Sequence, residues 1–207
     1  MRGHRVLLVL LLVITVATLA QAVPQTITEV RKLYESGQDQ RVIQLVTASR
    51  TQGTARAPLS FEAAHSYERL KQSTQAKQLY TQIATLPTSD PWKYIGQSGV
   101  AIIDRNYDSA VSNATRATSL GPNLAQAHYQ LGMAYAYKQD HTRAAPAFAK
   151  ATTLDATYAY ANYYAGMSYY RIRRFDLMTR HFEVFVRLAP SAPERAQVES
   201  ILRTIRG

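Results

Sequence analysis

The chain has 207 residues, with 24 Lys and Arg against 14 Asp and Glu and a formal net charge of +10. It contains no cysteine, which excludes disulfides, cysteine–zinc centres and a lipid-anchored precursor that needs cysteine at its cleavage point. The basic balance points to anionic partners or surfaces.

The first 22 residues stand apart. Arg2 and Arg5 precede an unbroken apolar run from Val6 to Ala20, which ends in Ala20-Gln21-Ala22. A basic start, a short apolar core and a small-x-small end describe a secretory signal peptide. The run is shorter than the ~20 residues a membrane-spanning helix needs. Cleavage after Ala22 is therefore expected, and an exported chain free of cysteine fits the bacterial periplasm. Left uncleaved, the same segment would anchor the chain to the inner membrane. Removal of the segment leaves 22 basic against 14 acidic residues.

Beyond it, the residues fall into units 34 apart: 23–56, 57–90, 91–124, 125–158 and 159–192, followed by a final helix in 193–207. The first unit retains Leu33, Gly37 and Val42, and the second Tyr67, Ala76 and Tyr80. The third keeps Tyr107, Ala110, Ala117, Leu120 and Pro122. Its first helix carries Gly96 and Gly99, which leaves two readings open, a flexible joint or a poorly conforming repeat. The fourth unit has Leu131, Gly132, Tyr135, Ala144, Phe148, Ala151 and Leu154. The fifth answers with Ala165, Gly166, Tyr169, Met178, Phe182, Phe185, Leu188 and Pro190. Each unit predicts two helices, for example 123–138 with 141–153 and 157–172 with 175–187. The last helix places Val198, Ile201, Leu202 and Ile205 at helical spacing, with Glu194, Arg195, Glu199 and Arg203 on its other face.

A glycine inside a helix costs about 1 kcal/mol relative to alanine. Gly132 and Gly166 therefore predict close approach of the paired helix, and small Ala144 suits the same crossing. Phe148 and Phe182, with Tyr135 and Tyr169, are expected to fill the gaps between successive pairs.

Leu131-Gly132-x-x-Tyr135, Ala144, Phe148 and the closing Pro190 resemble the tetratricopeptide repeat. The resemblance implies an all-α fold, a right-handed solenoid of about five helix-turn-helix repeats closed by a C-terminal capping helix. It also implies that the first helix of each pair lines a concave groove. Carried onto the two clearest units, the groove positions are Tyr129, Met133, Tyr137, Tyr160, Tyr163, Tyr164, Met167, Tyr170 and Arg171, with Gln126 and Gln130 beside them. Earlier units offer Phe61, Glu62, His65, Glu68, Arg69, Trp92 and Ile95. Tyr supplies rigid contact area with a polar tip and Met adapts to irregular shapes, so the strip suits recognition of another molecule. The alternative is a strip covered by neighbouring helices or by the terminal helix.

The expected partner is a peptide or a helix of another protein, in cell-envelope assembly or secretion. Two further partners stay open: an acidic glycan stacked on the same aromatics and Trp92, and a second copy of the chain. Members of the family that hold the carboxylate tails of chaperones use Lys, Asn and Arg. The comparable positions here are Tyr129 with Met133 and Tyr163 with Met167, so that ligand is not expected. Arg171, Arg173, Arg174, Arg180 and Arg187 concentrate charge in the last unit, where they form either an anionic-surface contact or a solvated face. Export argues against nucleic acid.

Signals of chemistry are weak. His65, His128, His141 and His181 are scattered and form no metal-binding spacing, and there is no nucleophile elbow or phosphate-cradling loop. No catalytic residue, metal or cofactor is expected. Asp104, Asp108, Asp140 and Asp155 fall near predicted helix ends, where Asp satisfies free backbone donors.

Overall fold

Helical pairs repeat from one end to the other of residues 27–206, the part of the chain that the computed structural model describes. The proposed signal segment, 1–22, lies outside the described residues. Residues 27–35 form α1 and Asp39–Ala48 form α2. A single 3-10 turn, Gly53–Arg56, leads into α3 (Ala57–Arg69) and α4 (Ser73–Ala84). The series continues with α5 (Pro91–Ile103), α6 (Tyr107–Leu120), α7 (Ala125–Tyr137), α8 (His141–Leu154), α9 (Ala159–Arg171) and α10 (Phe175–Leu188). A terminal helix, α11, spans Arg195–Arg206. From α3 to α11 every helix packs on the one before it, giving an all-α solenoid of helix-turn-helix units with a terminal helix.

The period is sharpest in the backbone, including the units whose side chains conform least. Gly37, Lys71, Arg105, Gln139 and Arg173 have φ of +72°, +62°, +59°, +65° and +60°. Each sits in the turn inside a pair. The next residue's N–H then reaches back to close the helix: Gln38 to Leu33, Gln72 to Tyr67, Asn106 to Ala101, Asp140 to Tyr135 and Arg174 to Tyr169, all at 2.8–2.9 Å. This left-handed closure normally favours glycine, which only the first turn supplies. Gly37 has a second constraint, since a methyl group there would lie 2.8 Å from Pro193 Cγ. The first turn thus touches the segment that enters α11.

Side chains explain the close packing. A methyl group on Gly132 would sit 2.7 Å from the Phe148 ring, and Gly166 receives Phe182 in the same way. Ala144, Phe148, Met178, Phe182 and Phe185 are fully buried. Tyr135 and Tyr169 are only half-buried; the Arg143 guanidinium lies over the first and His181 stacks on the second. Gly96 and Gly99 are crossings as well. Methyl groups there would meet the Tyr80 carbonyl at 2.6 Å and the Tyr80 ring at 2.5 Å, so the third unit is packed against α4 where a joint would need free space.

Polar residues close the ends. The Asp90 and Asp140 side chains accept from the N–H groups of Trp92 and Arg143, and Asp155 accepts from Thr157. Asp104 and Asp108 instead take Lys77 and Lys138 from neighbouring helices. Val198 and Leu202 of α11 bury against Met178, Phe182 and Phe185, while Ile205 stays exposed. None of the described helices is long and apolar enough to cross a membrane.

Candidate functional site

The inner face is built by the first helix of each pair, and α7 and α9 supply its aromatic strip. The structure divides the nine residues expected there. Tyr129, Tyr160 and Met133 are 1 %, 2 % and 5 % exposed. Tyr163, Tyr164 and Met167 are half-buried, and Tyr137, Tyr170 and Arg171 are exposed at the far end of their helices. Tyr129 is the hub of the buried part. Its ring stacks on Tyr158 at 4.9 Å and meets His65, Phe148, Tyr164 and Phe61 within 6.1 Å. Gln130 is buried too and donates to Ser98 Oγ at 3.1 Å.

The chain's own first helix covers the start of α9, the end of the strip that holds Tyr160. Arg31 of α1 bridges to Asp155, before α9, at 2.7 Å and to Glu62 of α3 at 3.4 Å, with its guanidinium 5.1 Å from the Tyr158 ring centre. One turn later, Tyr34 packs on Tyr160 at 4.8 Å. Arg69 locks these pieces together. It donates to both Asp39 carboxylate oxygens at 2.8 and 2.6 Å, to the Tyr34 carbonyl at 2.6 Å and to the Tyr160 hydroxyl at 2.7 Å. Its guanidinium also lies 4.0 Å over the Tyr34 ring. The Tyr160 hydroxyl in turn donates to Glu194 at 2.7 Å, extending the chain of contacts to the start of α11. First and last units are thereby joined across the concave side, and the solenoid is a closed ring of contacts.

Burial governs the ionisation of this seam. Loss of water pushes the phenols of Tyr34, Tyr129 and Tyr158 well above their ordinary range, so all three stay neutral. Burial and then the Glu62 charge push the Glu35 carboxyl up to about 7, against the opposing pull of Arg31 and a backbone bond from Ala159; the Asp155 charge adds to the rise. A carboxyl that binds its proton more tightly when folded stabilises the fold in its neutral form. That contribution is complete below the ordinary value of 4.5, declines as pH rises through the 4.5–7 window and is gone above about 7. Glu35→Gln should therefore be more stable than the parent at pH 8 by urea unfolding, with the difference shrinking toward pH 4.5. Equal pH slopes in the two proteins would remove Glu35 from this role.

Arg31, Tyr34 and Asp39 carry no periodic signal that marks them as site residues, and the repeat places Arg69 only at a groove position. Among the described residues no group of three or more His, Asp and Glu side chains is placed to hold a metal ion. His65 spends Nδ1 on Glu68 at 3.2 Å inside a cage of Phe61, Tyr80 and Tyr129, which leaves it no access to a substrate.

Residues 125–158 match the family model described as Tetratricopeptide repeat. The fold is the tetratricopeptide solenoid. Among solved structures, TTC0263, a thermophilic tetratricopeptide protein of Thermus thermophilus, is similar at 14 % identity with a TM-score of 0.60, covering 88 % of this chain and 97 % of that one. YrrB, described as a tetratricopeptide protein with an unusual peptide-binding site, is similar at 17 % identity with a TM-score of 0.51, covering 84 % and 90 %. At these identities the likeness is one of tetratricopeptide architecture. Comparison with the curated proteins gives no match.

Proposed function

We propose that this chain is a non-catalytic scaffold that receives a helix or peptide of a partner protein on its concave aromatic face, in assembly or secretion at the cell envelope. The observation that carries the reading is that the face already holds a helix. α1 is gripped through Arg31 and Tyr34 by residues of α3, α9 and the segment before α9. A partner helix with a cation and an aromatic one turn apart meets the same acids and rings once α1 swings out. Tyr129, Met133, Tyr160, Tyr163, Tyr164 and Met167 then form the floor, with Tyr137, Tyr170 and Arg171 at its rim. The peptide-binding site named for YrrB supports a peptide ligand on this kind of scaffold. A glycan reading draws less support, because Trp92 is buried edge-on to Phe61 at 5.7 Å and offers no free face to a sugar ring. Export through residues 1–22 belongs to the same proposal.

A photo-crosslinking amino acid placed at position 163 in the native envelope tests it. A discrete protein adduct is expected, and Arg31→Ala should raise its yield by releasing α1. Polymer smears, no adduct, or a yield indifferent to Arg31→Ala would each sink the reading.

A further inference from the structure

The turns inside the helix pairs carry a contradiction that packing does not resolve. Lys71, Arg105 and Arg173 occupy left-handed backbone at φ +62°, +59° and +60°, where a side chain costs roughly 1–2 kcal/mol and glycine relieves most of it. All three are exposed, and their side chains make no ion pair or hydrogen bond among the described residues. Arg171, exposed at the end of α9, is equally unpaired. Other cations of this edge are taken: Lys77 by Asp104, Lys138 by Asp108, Arg143 by Asp140 and Arg174 by Asp176. A cation near a helix C-terminus gains from the helix dipole, but one residue earlier it would gain the same without the left-handed cost.

These turns lie side by side. The Lys77–Asp104 bridge at 2.6 Å joins the second and third units, and the Lys138–Asp108 bridge at 2.5 Å joins the third and fourth. Tyr107 and Tyr137 stack between the same two units at 6.2 Å. Exposed aromatics collect here as well. Tyr137, Tyr170 and Phe175 are 42 %, 39 % and 38 % exposed, and only Ile205 among large apolar side chains is comparably open in the described residues. Free cations, strained backbone and bare aromatics thus share one edge, which meets the concave face only at its rim, at Tyr137, Tyr170 and Arg171, while Lys71, Arg105 and Arg173 lie in the turns beyond it.

We infer that this edge is a second docking surface, for an extended acidic segment of a partner protein. First helices of successive pairs pack together, as α5 and α7 do, so with packed helices about 8–10 Å apart these turns recur at roughly the rise of three extended residues, about 3.3 Å each, with uncharged Gln139 between Arg105 and Arg173. A ligand with a carboxylate at every third position meets Lys71 and Arg105 at one end and Arg171 and Arg173 at the other. Tyr137 and Tyr170 lie between and take an apolar side chain. A continuous anionic membrane fits less well, since a flat bilayer brings phosphates against Asp104, Asp108, Asp140 and Asp176 as well as the cations, whereas a single extended strand can set its carboxylates at the free cations and its neutral residues against those aspartates.

The strain supplies the test. Fluorescence anisotropy at low salt would follow a labelled twelve-residue peptide, glutamate at every third position and leucine at its centre, binding to the full chain. The triple variant Lys71→Gly, Arg105→Gly, Arg173→Gly should keep or raise the unfolding midpoint yet lose roughly tenfold in affinity, as three surface charge contacts of about 0.5 kcal/mol imply. Gln139→Gly makes the same backbone change without losing a cation, and should leave affinity unchanged. Equal binding by the triple variant and parent overturns the inference. So does equal binding of a peptide with glutamine in place of glutamate, or binding confined to phosphatidylglycerol vesicles. A triple variant that is less stable than the parent overturns the strain argument. Each readout is independent of the position 163 crosslink, so this surface and the concave face stand or fall separately.

Discussion

Replacing Arg69 by methionine should destabilise the chain by about 3 kcal/mol, because it strands a carboxylate that has almost no other solvation. Asp39 is 6 % exposed, and its two oxygens take their ion-paired bonds from Arg69 at 2.6 and 2.8 Å. Breaking a buried ion pair by removing one partner costs roughly 3–5 kcal/mol, and partial exposure of Arg69 places the expected loss at the lower end. In the same step the Tyr160 hydroxyl loses its donor and the Tyr34 carbonyl keeps only the Gly37 N–H, at 3.0 Å. Lysine should fail to rescue, since it lacks the planar fork that spans a carboxylate, a carbonyl and a phenol at once. Asp39→Asn in the Arg69→Met background should recover a large part of the loss, because it removes the stranded charge. Urea unfolding measures the stability, and amide exchange across residues 27–48 should quicken in the single variant. A change within about 0.5 kcal/mol would mean that the Asp39 site is wet and that the seam contributes little.

The residues involved show which kinds of information the sequence holds. The stack was legible because its rule is local and repeated: a small residue at 132 or 166 admits an aromatic from its partner helix, and both halves recur at a fixed interval. The five left-handed turns follow the same interval even where Leu-Gly and Tyr are lost, because backbone closure constrains φ and not side-chain identity. Closure of the ring has no such signature. Arg31 meets Asp155 across 124 residues and Arg69 meets Tyr160 across 91, so neither pair repeats with the period and neither is implied by helical spacing. The concave tyrosines illustrate the consequence. Their placement on the inner face follows from position in the repeat, but whether solvent or α1 lies above them depends on the curvature of the whole stack. Tyr160, packed under Tyr34 of α1, shows the covered outcome and Tyr170, at the far end of the same helix, the open one. Gly96 and Gly99 teach the converse. They are poor matches to the repeat, yet they admit Tyr80 as Gly132 admits Phe148.

Truncating Phe148 to alanine is expected to cost roughly 3–5 kcal/mol, the range for emptying a fully buried aromatic site. The ring has no exposed surface, rests on Gly132, and faces Tyr129 and Tyr164 at 5.6 Å each. No neighbour can fall into the gap easily, because both tyrosines are held by further rings, Tyr158 for one and Tyr163 for the other. Phe175→Ala is the matched control. That ring is 38 % exposed and touches Tyr170 at 6.2 Å, so its loss should stay near ~0.5 kcal/mol. The pair of large effects also tests the architecture. In an open solenoid each unit feels only its neighbours, so Phe148→Ala and Arg69→Met, which share no contact, should add. In a closed ring either change weakens the same closure: Phe148 backs Tyr164, Tyr164 packs on Tyr160, and Tyr160 receives Arg69. Once one variant has released that closure, the second has less left to lose. The double variant should therefore fall short of the summed losses by about 1 kcal/mol or more in urea unfolding, and strict additivity would show that Phe148 and Arg69 do not act through one shared closure.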